Sequence, residues 1–184
     1  EDAELRLSDT SSNPDAGTIE VDETSRTTDV AVGVFELEAR DGDITLNKLV
    51  FAVTTSDDMA EVVNDMAIEI DDESFSNYYI VDSPEKSIAD ELEAGDFSDG
   101  DTYFAVFDLA DDDDEYTIDG GDTVTLEFLV DFEDQGGDSA NYLNGTTFEV
   151  DVTSNEYDEW DVENEAGDYT TGMIKGTFNG EEHT

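Results

Sequence analysis

The chain has 184 residues, of which 53 are Asp or Glu and 6 are Lys or Arg, so its formal net charge at pH 7 is −47. Such a charge repels phosphate backbones and anionic membrane surfaces, which argues against nucleic-acid binding and against docking on a membrane. The sequence contains no Cys, and its single His is His183. Thiol nucleophiles, zinc–thiolate sites, histidine metal centres and Ser–His–Asp triads are therefore not expected.

The apolar residues predict a folded chain in spite of this charge. Hydrophobic residues make up 36% of the sequence and occur in alternating runs. A compact chain of this size buries about 70% of its unfolded surface. No apolar run approaches the roughly 20 residues of a membrane span, and residues 1–3 lack the start of a secretory signal. We expect residues 1–184 to form a single domain, as a mature or excised part of a longer protein.

The uncompensated charge needs screening from outside the chain. Molar salt shortens the Debye length to about 3 Å, and divalent cations bind clustered carboxylates directly. The scarcity of Lys and the excess of Asp over Glu resemble the surface composition of proteins from extreme halophiles. We therefore expect the fold to loosen in dilute, chelated buffer and to recover with NaCl or CaCl2.

The N-terminal third predicts several strands. Short strands are expected at residues 3–7 and 18–21, and a long one at 29–39 that changes its hydrophobic phase beside Gly33. A second long strand at 44–53 changes phase between Leu46 and Leu49. A phase change of this kind indicates a bulge or a strand that moves between sheets. Two of them, joined by a turn at 40–43, suggest a sandwich whose long strands serve both sheets.

The middle of the chain predicts strands at residues 67–70, 77–81 and 102–109. A helical turn is possible at residues 57–63. Ser83 and Pro84 have the chemistry of a helix start, so residues 84–94 are either one short helix or an irregular loop.

Alternation is strongest towards the C-terminus. Residues 122–132 and 147–153 each place every second residue on one apolar face, and Gly-containing turns precede both. A further strand is expected at 172–178. Together these patterns predict an all-β fold, an antiparallel two-sheet sandwich with at most one or two short helices.

Several segments taken together resemble a known family. They are residues 11–21, 34–39 with 43–46, 119–126, 161–168 and 176–184. In order and spacing they are similar to the immunoglobulin-like modules of tandem-repeat cell-surface proteins, most of all to secreted proteins of patescibacteria. The resemblance implies an exported immunoglobulin-like sandwich in an adhesin, a surface layer or a filament, with neighbouring modules or copies of itself as partners. It also implies a module boundary at the C-terminus, with His183 as a junction residue.

Calcium is the expected cofactor, because Ca2+ takes six to eight oxygen ligands from carboxylates and carbonyls. The best candidate ligands are Asp161, Glu163, Asn164 and Asp168, around a turn at Gly167. The segment lacks the order of an EF-hand loop, and the alternative is a solvated loop.

Two further acidic clusters invite the same question. One is the run at residues 110–115, for which a hairpin tip is the simpler interpretation. The other comprises Asp131, Glu133, Asp134 and Asp138.

Catalytic signatures are missing from the sequence. Among 53 acids two carboxylates are expected to meet by chance, so no pair points to catalysis, and we expect no enzyme. Aromatic residues could instead form a sugar-stacking platform, although strands and cores also use them. The residues in question are Tyr78, Tyr79, Tyr142, Tyr157, Trp160 and Tyr169.

The leading hypothesis is a non-enzymatic extracellular module with a structural or adhesive role at the cell surface. Its acidic surface is adapted to high salt, to Ca2+ or to both. The alternative is a carbohydrate-binding module, with cell-surface glycans or proteins as partners. For assembly into a filament, the strand at residues 3–7 is the candidate for donor-strand exchange between copies.

Overall fold

The computed structural model describes residues 3–110, 115–136, 142, 144–169 and 172–184, which form mainly β-strands. The strands are β1 (Glu4–Asp9), β2 (Thr27–Arg40), β3 (Ile44–Thr55), β4 (Val63–Ile70), β5 (Glu73–Phe75), β6 (Tyr78–Val81), β7 (Thr102–Asp108), β8 (Tyr116–Ile118), β9 (Thr123–Phe132), β10 (Phe148–Val152), β11 (Asp161–Asn164), β12 (Ile174–Lys175) and β13 (Phe178–Asn179). Two single-turn helices are α1 (Met59–Val62) and α2 (Ser154–Tyr157).

Over the described residues the strands form two sheets. The first has the order β12-β1-β2-β9-β4-β5, and the second the order β13-β10-β3-β7-β6. Neighbouring strands are antiparallel except for β1 and β12, which are parallel. The predicted all-β two-sheet sandwich with short helices is therefore confirmed.

Strand β3 is the centre of the second sheet, and the strands on both of its edges are interrupted. On one edge β7 and then β8 pair with it, and on the other edge β10 and then β11. The indole nitrogen of Trp160, in the segment between β10 and β11, donates a hydrogen bond of 2.8 Å to the carbonyl of Val50. The side chain thus satisfies a backbone group of β3 that neither strand reaches.

The phase change at Gly33 is a β-bulge. The register between β2 and β9 shifts between Ala31 and Gly33, and Val32 has no cross-strand partner. A Cβ atom on Gly33 would lie 2.9 Å from Val150 of the second sheet, so the glycine allows the two sheets to approach.

The phase change in β3 is a second bulge. Asp161 pairs with Lys48 and Val162 with Leu46, which leaves Asn47 as the inserted residue. Asn47 is buried, and its side-chain oxygen has no hydrogen-bond partner within the described part of the chain. The prediction that the long strands serve both sheets was wrong. Strands β2 and β3 each stay in one sheet, because a one-residue bulge already restores the inward phase.

The hydrophobic core lies between the sheets and forms one continuous cluster. At its centre the ring of Phe51 on β3 faces two rings of the first sheet, Phe35 at 6.4 Å and Phe128 at 5.0 Å between centroids. Phe107, on the neighbouring β7, lies 5.6 Å from Phe51 in an edge-to-face arrangement. Aromatic pairs of this geometry add to the stabilisation that burial provides.

Several local predictions were corrected. Residues 18–21 are not a strand, although Ile19 N donates to the carbonyl of Thr184 and Thr184 N to that of Gly17. Residues 172–178 hold two short strands in different sheets, β12 and the start of β13. The segment 84–94 is a loop with one 3₁₀ turn at Ile88–Asp90, whereas the turn expected at 57–63 is α1. Strands β5, β8 and β11 and helix α2 were missed.

Candidate functional site: the acidic surface

The acids lie on the outside of the sandwich. Glu156 is the single Asp or Glu that is buried among the described residues, with 3% of its surface exposed. Its carboxylate accepts hydrogen bonds of 2.7 Å from the backbone nitrogen and the hydroxyl of Thr153, and so caps the N-terminus of α2. The one buried carboxylate therefore has a structural partner.

Basic side chains neutralise little of this surface. Over the described part of the chain there are four ion pairs, and all of them are largely exposed: Arg6–Glu4, Arg26–Glu133, Arg40–Glu38 and Lys86–Asp82. Exposed pairs of this kind each contribute about 0 to 1 kcal/mol. Most carboxylates have no cation from the protein itself.

The predicted calcium ligands are divided between a strand and a turn. Asp161, Glu163 and Asn164 belong to β11, and Asp168 follows in the turn. The Asn164 side-chain oxygen accepts hydrogen bonds from the backbone nitrogens of Ala166 and Asp168, at 2.9 and 3.1 Å. That oxygen therefore already holds the turn together.

The other two members of the set are placed differently. The Glu163 carboxylate lies beside Gly167, over the turn. Asp161 on β11 is the register partner of Lys48 on β3, and Asp108 on β7 is the partner of Lys48 at the other edge of β3. A basic residue thus occupies the position on β3 that faces one predicted ligand, although the pair is not among the four ion pairs given above. Within the described ranges, no group of three or more Asp, Glu or His side chains is arranged to hold a metal ion. The calcium site stays a prediction.

The described acids of the cluster at residues 131–138 have partners within the chain. Asp131 accepts from Asp29 N at 2.8 Å, Glu133 pairs with Arg26, and Asp134 accepts from Gly136 N at 2.8 Å. Asp138 lies outside the described residues. So do residues 111–114, which make up most of the acidic run at 110–115.

A cluster on β10 was not singled out from the sequence. Burial, with the charges of Asp151, Glu182 and Glu181 added, raises the pKa of the Glu149 carboxyl. Burial also raises the pKa of Asp151, against the hydrogen bond from Gly180 N that lowers it. These carboxylates repel one another at neutral pH. The alternation in residues 147–153 already placed Glu149 and Asp151 on one face and could have revealed the cluster.

The aromatic side chains do not form an exposed platform over the described residues. Trp160 and Tyr142 are buried, with 4% and 7% of their surfaces exposed. Tyr79 is buried as well, and Tyr169 stands out with 43% exposed. Sugar recognition by stacking needs accessible ring faces, so the burial of Trp160 weighs against a platform for glycans.

His183 is part of the packing. Its backbone exchanges two hydrogen bonds of 2.9 Å with Phe148 on β10, and its ring Nε2 lies 3.0 Å from the carbonyl of Val32. Val32 is the bulged residue of β2 and has no cross-strand partner on β9, so the imidazole contacts the backbone at the bulge. The side chain is 4% exposed.

No helix in the described ranges is both long enough and apolar enough to cross a membrane. Comparison with protein-family models, with curated proteins and with solved structures gives no match to this chain.

Proposed function

We propose that the chain is a non-enzymatic structural or adhesive module at the outer surface of a cell, with a fold that depends on cations of the medium. The sandwich supplies a continuous core between two sheets and places the acids around it. This arrangement suits a scaffold that presents a polyanionic surface to concentrated salt.

The charge balance carries the proposal. The six basic side chains can neutralise at most six of the 53 carboxylates, so 47 negative charges must be screened from solution. Four of the six basic residues already pair with an acid on the surface. A net charge of this size destabilises the compact state through self-repulsion unless counter-ions are abundant.

The same charge governs contacts with other modules. Two copies repel each other at low salt, and the strands at the ends of each described sheet are short: β12 and β13 have two residues, β5 three and β6 four. Short edges offer little backbone for pairing between copies. Contacts with neighbouring modules therefore depend on screening or bridging by cations.

The cation dependence is tested with the chelated protein in a series from 10 mM to 3 M NaCl. We expect the near-ultraviolet circular dichroism, reported mainly by Trp160 and the tyrosines, to grow with salt, and the thermal midpoint to rise with it. A full signal and a constant midpoint across the series would contradict the proposal.

The location is tested separately. An antibody raised against the chain should label intact cells that produce the parent protein, and external protease should remove the label. Labelling only after the cells are permeabilised would rule out a surface role.

A further inference from the structure

One end of the sandwich contains an open cavity of about 390 Å³. The loop that follows β1 contributes Ile19 and Val21, and the end of α1 contributes Val62. Phe132, where β9 ends, and Phe148, where β10 begins, complete the apolar part of the wall. The volume lies within the range of about 300–1,000 Å³ that is usual for small-molecule sites.

The polar part of the described wall contains no acidic side chain and no Lys or Arg. It includes Thr18, Gln135, Asn144 and Thr147, and the 14 described lining residues include no Asp, Glu, Lys or Arg. A random set of 14 residues from this sequence would contain about four acids, since 53 of 184 residues are acidic. Two other concave regions of the surface do contain acids, as the acidic composition of the chain predicts. Glu91 and Glu133 line one of them, and Asp82, Asp96 and Asp101 line the other.

Three of the acids that lie near the cavity residues in sequence are engaged by other groups. Asp22 accepts from the backbone nitrogens of Thr24 and Ser25, at 2.8 and 3.0 Å. Glu133 pairs with Arg26, and Asp134 accepts from Gly136 N. Each of these partners lies outside the cavity wall.

The hydroxyl groups of two further lining residues, Thr146 and Tyr142, are hydrogen-bonded within the chain. The hydroxyl of Thr146 donates to the carboxylate of Asp57. Burial raises the pKa of the Tyr142 hydroxyl to about 12, and the hydroxyl donates to the carbonyl of Glu133. Apart from His183, the described wall therefore offers no side chain that is ionised at neutral pH.

We propose that this cavity is a binding site for an uncharged small molecule with an apolar body and a few hydrogen-bonding groups. A bound cation would find no carboxylate side chain among the described lining residues. An anion would have its charge buried without a partner and would be repelled by the negative charge of the whole chain. An apolar body fits the wall of Ile19, Val21 and the two phenylalanines, and the amides and hydroxyls at the rim supply hydrogen bonds. The proposal does not depend on the surface role.

The probe for the test is N-phenyl-1-naphthylamine, a neutral aromatic amine that fluoresces in apolar surroundings. The full chain in 2 M NaCl should bind it saturably with a one-to-one stoichiometry. The anionic analogue 1-anilinonaphthalene-8-sulfonate should bind at least about tenfold more weakly, because its charge would be buried without a partner. Equal affinities for the two probes would overturn the proposal.

Two variants locate the binding. Val21→Phe fills the cavity from the partly buried loop, and Thr18→Trp does so from the exposed rim, which keeps the test valid if one of them fails to fold. The matched control is Ile88→Phe, at an apolar residue that is 61% exposed and outside the cavity. We expect a loss of at least about tenfold in affinity for each folded cavity variant, equivalent to 1.4 kcal/mol, and none for the control. Wild-type affinity in a folded cavity variant, or no saturable binding to the wild type, would overturn the proposal.

Discussion

At Gly33 the two sheets come so close that no side chain fits between them. A Cβ atom there would lie 2.9 Å from Val150 and 3.0 Å from the ring of Phe178, and both of these side chains are fully buried. Neither neighbour can move without disturbing the second sheet. The bulge at Val32 and the missing side chain at Gly33 therefore act together to bring β2 against β10.

Replacement of this glycine should be costly. We expect Gly33→Ala to lower the free energy of unfolding by about 1–3 kcal/mol, the usual cost of forcing an extra carbon into a packed core. Gly95→Ala is the matched control, because no atom lies within 4 Å of its added Cβ and its φ is not positive. Chemical denaturation in 2 M NaCl measures both. Equal stability of the two variants would show that the sheets adjust freely.

The charge of the Glu149 carboxylate destabilises the folded state. Because its pKa is raised in the folded chain, the folded state keeps a proton that the unfolded chain has already lost. Stability therefore falls as pH rises from the ordinary glutamate pKa through the raised value.

Removal of that charge should stabilise the protein. We expect Glu149→Gln to raise the thermal midpoint at pH 7 and low salt by about 1–3 °C, and the gain to vanish at pH 3 or in 2 M NaCl. Glu165→Gln, at an exposed acid in the turn after β11, is the control for a simple change in net charge. A gain that persists at pH 3 would point to packing and not to charge.

At the scale of elements, the strands around β3 separate those that the sequence could predict from those that it could not. Long alternating segments such as β9 and β10 were predicted because each has one buried and one solvated face. The short strands β8 and β11 were missed. Their pairing with the far end of β3 is decided by tertiary contacts, which a short period-two pattern cannot display.

The pairing of β11 with β3 was also missing from the calcium hypothesis, because it depends on tertiary contacts. Residues 161–168 contain acids and a glycine, which are typical of a loop. Val162 is completely buried, however, and draws residues 161–164 into the second sheet. Burial of this valine favours a strand over a loop for residues 161–164, and the turn begins only after Asn164.

Donor-strand exchange between copies would require β1 to leave its own sandwich. It lies within the first sheet, between β12 and β2, and pairs with β2 over six residues. Leu5 and Leu7 belong to the core.

Deletion of residues 1–10 should therefore abolish the native fold, whereas exchange of this strand between copies would require the remaining sandwich to fold without it. Loss of a buried leucine side chain costs about 2–5 kcal/mol, and two of them approach the whole stability of a typical domain. The near-ultraviolet circular dichroism in 2 M NaCl measures the outcome, with a chain lacking only residues 1 and 2 as control. A native spectrum from the shorter chain would instead support exchange of this strand.

At the scale of the whole molecule, two kinds of cation effect must be separated. Screening depends on ionic strength and on valence, whereas a calcium site distinguishes Ca2+ from Mg2+ through ligand number and distance. Composition alone predicted a need for cations, since the charge of −47 is independent of the fold. It could not decide between a site and a diffuse atmosphere, because that depends on where each carboxylate is held.

The geometry of the described residues favours the diffuse atmosphere. The side-chain oxygen of Asn164 is engaged by two backbone nitrogens, and Asp161 stands opposite Lys48. We therefore expect CaCl2 and MgCl2 to raise the thermal midpoint of the chelated protein equally at the same ionic strength. We expect Asp161→Asn and Asp168→Asn to leave that equality unchanged. A rise specific to Ca2+ that disappears in both variants would contradict this expectation and establish the turn after β11 as a calcium site, because screening alone cannot depend on two of the 53 acids.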